Sequence, residues 1–314
     1  MAARRREPPR RERKPPVAEP LGGDPGQVVA HHGVAVLVRL DSGEEKQVWL
    51  STDQRAVVGD RVIVTGTRLE ILPAHGVLRR RDPRGRERTI AVNLDVLSIV
   101  VAIEPREPPG YLDRGFVIAR AADIRPCIIV NKIDLPGAPA LADRLEEIYG
   151  DSASILRVSA ESREGLRAIR EMLGDGALGA MVGPSGVGKS SLMNALVPDL
   201  DLRVSDLNRG SRKGRHTTTT ATLHALEGGG NLVDTAGFKD FIAVDVTPAD
   251  AALFFPGFER ALEAGCRFRD CAHRTEPDCS VLAALAEGEI SAGRHRAYLA
   301  LLDELSDPSD RRHA

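Results

Sequence analysis

Aromatic side chains are scarce in this sequence, which has one tryptophan, three tyrosines and seven phenylalanines in 314 residues. A groove that binds single strands by stacking bases needs an array of rings, and with Trp49 as the lone tryptophan no such array is visible. Net charge is also slight, −2 at neutral pH, so the chain is not a bulk polycation and any contact with phosphates depends on where its charges lie. No apolar run approaches the ~20 residues needed to cross a bilayer, and no apolar leader opens the chain. A cytoplasmic protein with no membrane partner is therefore expected. Only four cysteines are present, three of them between positions 266 and 279. Such clustering excludes a disulfide framework and points to a metal in a reducing compartment. The length leaves room for two or three domains.

What is present centres on Gly183-Pro184-Ser185-Gly186-Val187-Gly188-Lys189-Ser190-Ser191. An apolar run, Ala177 to Val182, precedes it, and a helix-like segment follows to Leu196. Strand, glycine loop and helix are the context in which G-x-x-x-x-G-K-S/T forms a phosphate site. Its glycines let backbone N–H groups curl around a polyphosphate, and the helix adds its N-terminal dipole. Lys189 can place a charge between the β- and γ-phosphates, and the Ser190 hydroxyl can hold Mg²⁺.

Taken in order, residues 1–25 carry seven basic residues among prolines with almost nothing apolar, so a disordered basic tail is expected there. From Gln27 to about Leu78 short β-type runs alternate with turns: Val34–Val38, Gln47–Leu50, Val57–Asp60 and Arg61–Val64. This texture suits a small five-stranded barrel of the OB type. The run from Arg79 to Arg88 holds six arginines and reads as an exposed connector, either a solvated face or a phosphate contact. Val92 to Ile103 reads as a buried strand of a parallel sheet. A helix is expected around Leu112 to Ala122, and a second buried strand at Cys127–Val130, with Cys127 as plain core.

That second strand ends in Asn131-Lys132-Ile133-Asp134, where ligands bind in open α/β sheets. Asp134 can accept hydrogen bonds from guanine N1–H and the exocyclic amine, with Asn131 toward the other base edge. Adenine would leave that carboxylate unpaired. Ile155–Val158 leads to Ser159-Ala160, whose backbone N–H can meet guanine O6, before a helix over about Gly165–Leu173. Beyond the glycine loop, Leu202–Thr222 is a long polar, basic loop with Arg215-His216-Thr217-Thr218-Thr219-Thr220. A threonine there could order on Mg²⁺ and the γ-phosphate. Asp234-Thr235-Ala236-Gly237 offers a carboxylate for Mg²⁺ and the Gly237 amide as a γ-phosphate sensor. Phe238 follows where a Ras-like enzyme has its water-orienting glutamine.

In Ras-like enzymes the phosphate loop comes first and N-K-x-D last, whereas here Asn131–Asp134 and Ser159-Ala160 precede the loop. Such an order is a circular permutation, which domains with neighbouring termini tolerate. After it come Cys266, Cys271, His273 and Cys279, four N/S ligands that suit a closed structural zinc site. Helical patterns at about Pro248–Ala264, Val281–Ala286 and Gly293–Leu305 surround them, so a small zinc-held helical domain is expected.

Together these motifs resemble the circularly permuted, ribosome small-subunit-dependent GTPases of the RsgA type, over about residues 27 to 305. The resemblance implies a multidomain α/β chain: an OB-type barrel with its basic linker (26–88), a permuted P-loop GTPase domain (89–242), and a helical zinc domain (243–306) before a tail (307–314). It implies GTP/GDP held by residues 131–134 and 183–191 with Mg²⁺, zinc on the Cys₃His set, and docking on the small subunit and its rRNA during late maturation, by a monomer. Ala236 departs from the family's usual proline. His216 is the residue expected to replace the missing glutamine. Two other readings are open at this point: a permuted GTPase of the large subunit, and an RNA-binding module that GTP regulates with negligible turnover. The barrel in front and the zinc cluster behind weigh against the first.

Overall fold

The computed structural model describes residues 22–81, 86–174, 176–197, 200, 202, 221–234 and 246–306. Strand β1 (Asp24–His31) starts inside the stretch expected to be a tail. It pairs antiparallel with β2 (Ala35–Leu40), which pairs with β3 (Glu45–Trp49). On its other flank β1 pairs with β4 (Arg61–Thr65), and β4 with β5 (Arg68–Ile71). Val28, Val36, Val38, Val48, Val62 and Val64 fill the core of these five strands.

The Val57–Asp60 run is a turn, not a strand. The Asp60 carboxylate accepts the Val57 N–H at 2.7 Å, and Gly59 sits at φ 97° with its backbone hard against Val92, which no Cβ would permit. The arginine-rich run is likewise no open connector. β6 (Leu78–Arg81) and β7 (Glu87–Ala91) form an antiparallel hairpin around it.

Val92–Ile103 contributes a shorter strand than its apolar texture suggests, β8 (Val96–Ala102). Asn93 adopts φ 57° and spends its buried amide on Gly59 O and His75 N–H, so the backbone there serves a junction. α1 (Tyr111–Ala121), β9 (Arg125–Asn131), α2 (Ala138–Tyr149), β10 (Ser154–Arg157), α3 (Leu166–Met172), β11 (Leu178–Val182) and α4 (Lys189–Leu196) follow. Then come β12 (Thr222–Ala225) and β13 (Asn231–Asp234). The strands run in the order β10-β9-β8-β11-β13-β12 and continue through β1 into β2 and β3, one mixed sheet. Pairs from β10 to β13 are parallel, and β12 and β1 attach antiparallel.

Strand alternation sorts the core into two layers. Leu97, Ile99, Val101, Ile128, Val130, Ala180 and Val182 face α1 and α2. Val96, Val100, Ala102, Cys127, Ile129 and Met181 face α3 and α4. Burial pushes the Cys127 thiol up to about 12, as befits core.

The expected helix over 248–264 is two short ones, α5 (Ala251–Phe254) and α6 (Glu259–Ala264), separated where Pro256-Gly257 cannot continue a helix. α7 (Ser280–Ala286) and α8 (Ala292–Ser306) complete the C-terminal module. Phe255, Phe258 and Tyr298 pack within it in tilted and edge-to-face pairs and extend the α1–α2 core layer. Among the described residues no helix is long and apolar enough to cross a membrane.

Candidate nucleotide site and metal centre

Three motifs distant in sequence meet at the C-terminal ends of β8, β9, β10 and β11. Asn131, 1% exposed, is their joint. Its Nδ2 donates to Val187 O at 2.8 Å in the glycine loop, and its Oδ1 accepts the Ala160 N–H at 3.2 Å. One donor and one acceptor of the amide are thus committed to the scaffold, of the two of each that an amide carries. The amide also engages the Ala160 N–H that was expected to meet guanine O6. Lys132, at φ 59°, reaches back to Gly186 O at 2.8 Å and Glu104 O at 2.9 Å. Ile133 is buried and its N–H donates to Val158 O at 3.0 Å, while Asp134 is exposed beyond it. Ser159 is buried, its hydroxyl accepting the Ser162 N–H.

Close approach explains two of the loop's glycines. A Cβ on Gly183 would overlap Val100 O, and one on Gly188, at φ 95°, would overlap the Asn131 side-chain amide. Val187 is buried against the α3–α4 layer, whereas Pro184, Ser185, Gly186, Ser190 and Ser191 retain exposure on the open side. Lys189 Nζ donates to Gly183 O at 2.6 Å and Pro184 O at 2.8 Å, so its charge lies over the loop.

Asp234 ends β13, a neighbour of the loop's strand. Burial raises its carboxyl above the ordinary range, against the opposing fields of His224 and Lys189. A cation beside it would favour the ionised form. His224 was not singled out by the sequence. It lies on β12, its ring 2.8 Å from the Thr222 hydroxyl, and burial lowers its pKa against the pull of Asp234. Strand alternation could have flagged it, since residues two apart share a face. His216, Ala236, Gly237, Phe238 and the threonine run lie outside the described residues.

In the C-terminal module Cys266, Cys271, His273 and Cys279 bring one ligand atom each to within 4.8 Å of one another. Cys266 Sγ is 3.8 Å from Cys279 Sγ and 3.5 Å from His273 Nδ1, which is 3.3 Å from Cys279 Sγ. A tetrahedron with metal–sulfur arms of ~2.3 Å has edges of ~3.8 Å, so these separations fit a small four-coordinate metal ion. Burial, and with it the neighbouring sulfurs, pushes the Cys271 thiol up to about 12; a cation is what would hold three thiolates together.

The loop around them is braced. Glu276 accepts the N–H groups of Ala272, Arg274 and Thr275, and His295 and Tyr298 of α8 reach His273 O and Ala272 O. The module is clamped to α1 and α2 by two arginines. Arg120 pairs with Glu259 at 2.6 Å. Arg294 donates to Pro256 O and Ile148 O and lies 4.4 Å over the Tyr149 ring.

The family described as RsgA GTPase matches residues 71–243. A small ribosomal subunit biogenesis GTPase RsgA from Pseudomonas putida is 38% identical over 301 residues, covering 90% of this chain and 86% of that protein. Its namesake from Azotobacter vinelandii is 39% identical over 311 residues, covering 93% and 90%. Among solved structures, YjeQ from Thermotoga maritima superposes with a TM-score of 0.73 at 30% identity, over 90% of this chain and 98% of that one. YloQ, described as a circularly permuted GTPase, shares the fold with a TM-score of 0.69 at 24% identity, over 91% and 96%. On that similarity the chain belongs to the RsgA GTPase family.

Proposed function

We propose that this protein hydrolyses GTP to GDP and phosphate and assists late maturation of the small ribosomal subunit, with turnover stimulated by that subunit. The observation that carries the reading is the joint at Asn131, which assembles a guanine-type strand end, the Ser-Ala turn and a phosphate loop in one place although their order along the chain is permuted. The relatives, named as small ribosomal subunit biogenesis GTPases, support the partner.

In this reading Asp134 selects guanine, and the backbone of residues 183–191 cradles the phosphates. Lys189 turns its charge to the β- and γ-phosphates. Ser190 and Asp234 would hold Mg²⁺, which neutralises charge on the transferring phosphoryl group. The Gly237 amide senses the γ-phosphate, and His216 orients the attacking water in place of a glutamine.

The five N-terminal strands are read as an OB-type barrel with its basic hairpin (26–88), residues 89–242 as the permuted GTPase domain, and 243–306 as a helical domain whose Cys₃His set holds structural zinc. Support comes from the strand pairing around β1 and from the ligand separations. The protein is further read as a cytoplasmic monomer that contacts rRNA.

Steady-state GTP turnover with and without purified small subunits tests this. Free protein is expected at about 10⁻⁴–10⁻² s⁻¹, the scale of unassisted GTPases, rising well over tenfold with small subunits and not with large ones. His216→Ala should lose most of the stimulated rate at unchanged GTP affinity. Equal turnover with and without subunits would reject the proposal.

A further inference from the structure

His273 holds a backbone conformation that residues with a side chain seldom adopt. Its φ is 58°, in the left-handed region, which crowds a Cβ and persists only where the surroundings enforce it. Within the loop, Glu276 accepts the N–H groups of Ala272, Arg274 and Thr275 on either side of it. From outside the loop, α8 adds two more bonds. The Tyr298 hydroxyl donates to Ala272 O at 3.2 Å, and His295 Nε2 lies 2.8 Å from His273 O. A carbonyl can only accept, so that nitrogen carries the proton. The His273 ring is walled by those of Phe258 and Tyr298, at centroid distances of 6.4 and 6.0 Å. Its Nδ1 is thereby presented to the sulfurs of Cys266 and Cys279.

His295 is buried, and its neighbour along α8 holds a different partner. Arg294, with 9% of its side chain exposed, stands 4.0 Å from Asp113 of α1, whose carboxylate accepts the Tyr149 hydroxyl. It donates to Pro256 O at 2.7 Å and to Ile148 O at 3.1 Å, and lies over the Tyr149 ring. Successive helix residues point about 100° apart. One turn of α8 therefore meets the metal loop through His295, and α1 and α2 through Arg294. Ser291 fixes that turn, its hydroxyl accepting the Arg294 N–H and its carbonyl the His295 N–H.

We propose, on the reading of the Cys₃His set as a metal site, that His295 is a positioning residue that holds His273 as a ligand. Through the shared turn of α8, metal occupancy and the Arg294 clamp then stabilise each other. A metal that fixes His273 fixes the turn and favours the clamp, and by linkage a broken clamp weakens the metal.

Zinc affinity of the full-length protein, measured by competition with a chromogenic chelator, tests both parts. His295→Ala should lose about ten- to a hundredfold, the range for groups that orient a metal ligand. His295→Gln, which keeps a donor for His273 O, should recover most of that loss. Arg294→Gln changes no atom of the metal loop and should still lose about fivefold or more. The absorption bands of the cobalt-substituted protein read the ligand set itself. They should coincide in wild type and Arg294→Gln and change in His295→Ala, where His273 is released. GDP affinity at the wild-type level shows that the variants are folded. Wild-type zinc affinity in His295→Ala, or a loss that His295→Gln does not restore, would overturn the positioning role. Wild-type affinity in Arg294→Gln would overturn the coupling. A wild-type protein that binds neither zinc nor cobalt would instead remove the metal reading on which both stand.

Discussion

Asn131 holds three loops together, since its amide reaches Val187 O and the Ala160 N–H while its own strand ends in the turn that carries Asp134. The two neighbouring polar residues therefore fail differently when changed. Asn131→Ala leaves the buried Val187 carbonyl unpaired, about 1–3 kcal/mol, and the half-buried Ala160 N–H at a smaller cost. Both the unfolding midpoint and guanine nucleotide affinity should drop, as read by thermal unfolding and GDP titration. Asp134 is exposed, so Asp134→Asn should leave the midpoint unchanged while weakening GTP by at least a few kcal/mol, two hydrogen bonds to a charged group at roughly 1.5–3 each. GTP and ATP titrations of the wild type check the same point, and comparable affinities would contradict the role given to Asp134. The types and positions of these residues were legible in the sequence. The direction of Asn131 was not, because it depends on Val187, fifty-six residues away and brought close by the sheet.

Among elements, β8, β9 and β11 were the most legible, since strands covered by helices on both faces read as continuous apolar runs. The β6–β7 hairpin was hidden by its composition, as arginines paired across a hairpin look like arginines in solvent. The turn at Val57–Asp60 was hidden by the opposite effect. Its valines are apolar enough for a strand, but Asp60 is only 3% exposed and its carboxylate closes the turn on the Val57 N–H. Burial raises the Asp60 carboxyl above its ordinary value, with the Val57 N–H working against that rise. In the unfolded chain the group ionises near its ordinary value, about 3.9, while the folded protein holds its proton to higher pH. Between the two values the folded state binds more protons, so the contribution of this group to stability falls as pH rises. Asp60→Asn retains an oxygen for the Val57 N–H and cannot ionise. Denaturant midpoints should show the Asp60→Asn variant gaining on the wild type from pH 4 to pH 7. A gap that narrows with rising pH would reverse the sign argued here.

At the scale of the whole molecule, the two layers of the sheet divide the labour. The glycine loop and α4 pack on the α3 side, while the C-terminal module shares its core with α1 and α2 on the other face. Arg120 and Arg294 tie the module to those helices and not to the phosphate loop. Only the segment from Asp234 to Val246 joins β13 to the module along the chain, and its middle, 235–245, lies outside the described residues. Structural zinc can supply on the order of 10 kcal/mol of apparent folding free energy, so removing the metal should act on one face of the molecule. Chelation, or Cys271→Ser, should raise amide hydrogen exchange across α6, α7 and α8 and, more weakly, along α1 and α2 where their core partners loosen. Exchange in β11 and α4 should be unchanged, as should GDP affinity and the slow turnover of the free protein. If subunit docking acts on the hydrolytic site through the module, stimulation by small subunits should disappear in the same sample. Elemental analysis of freshly purified protein should give one zinc per chain, and its absence would remove the basis of this prediction. Protection lost evenly over both layers would show instead that the metal supports the whole sheet, and that the arginine clamps do not mark a boundary between independently stable parts.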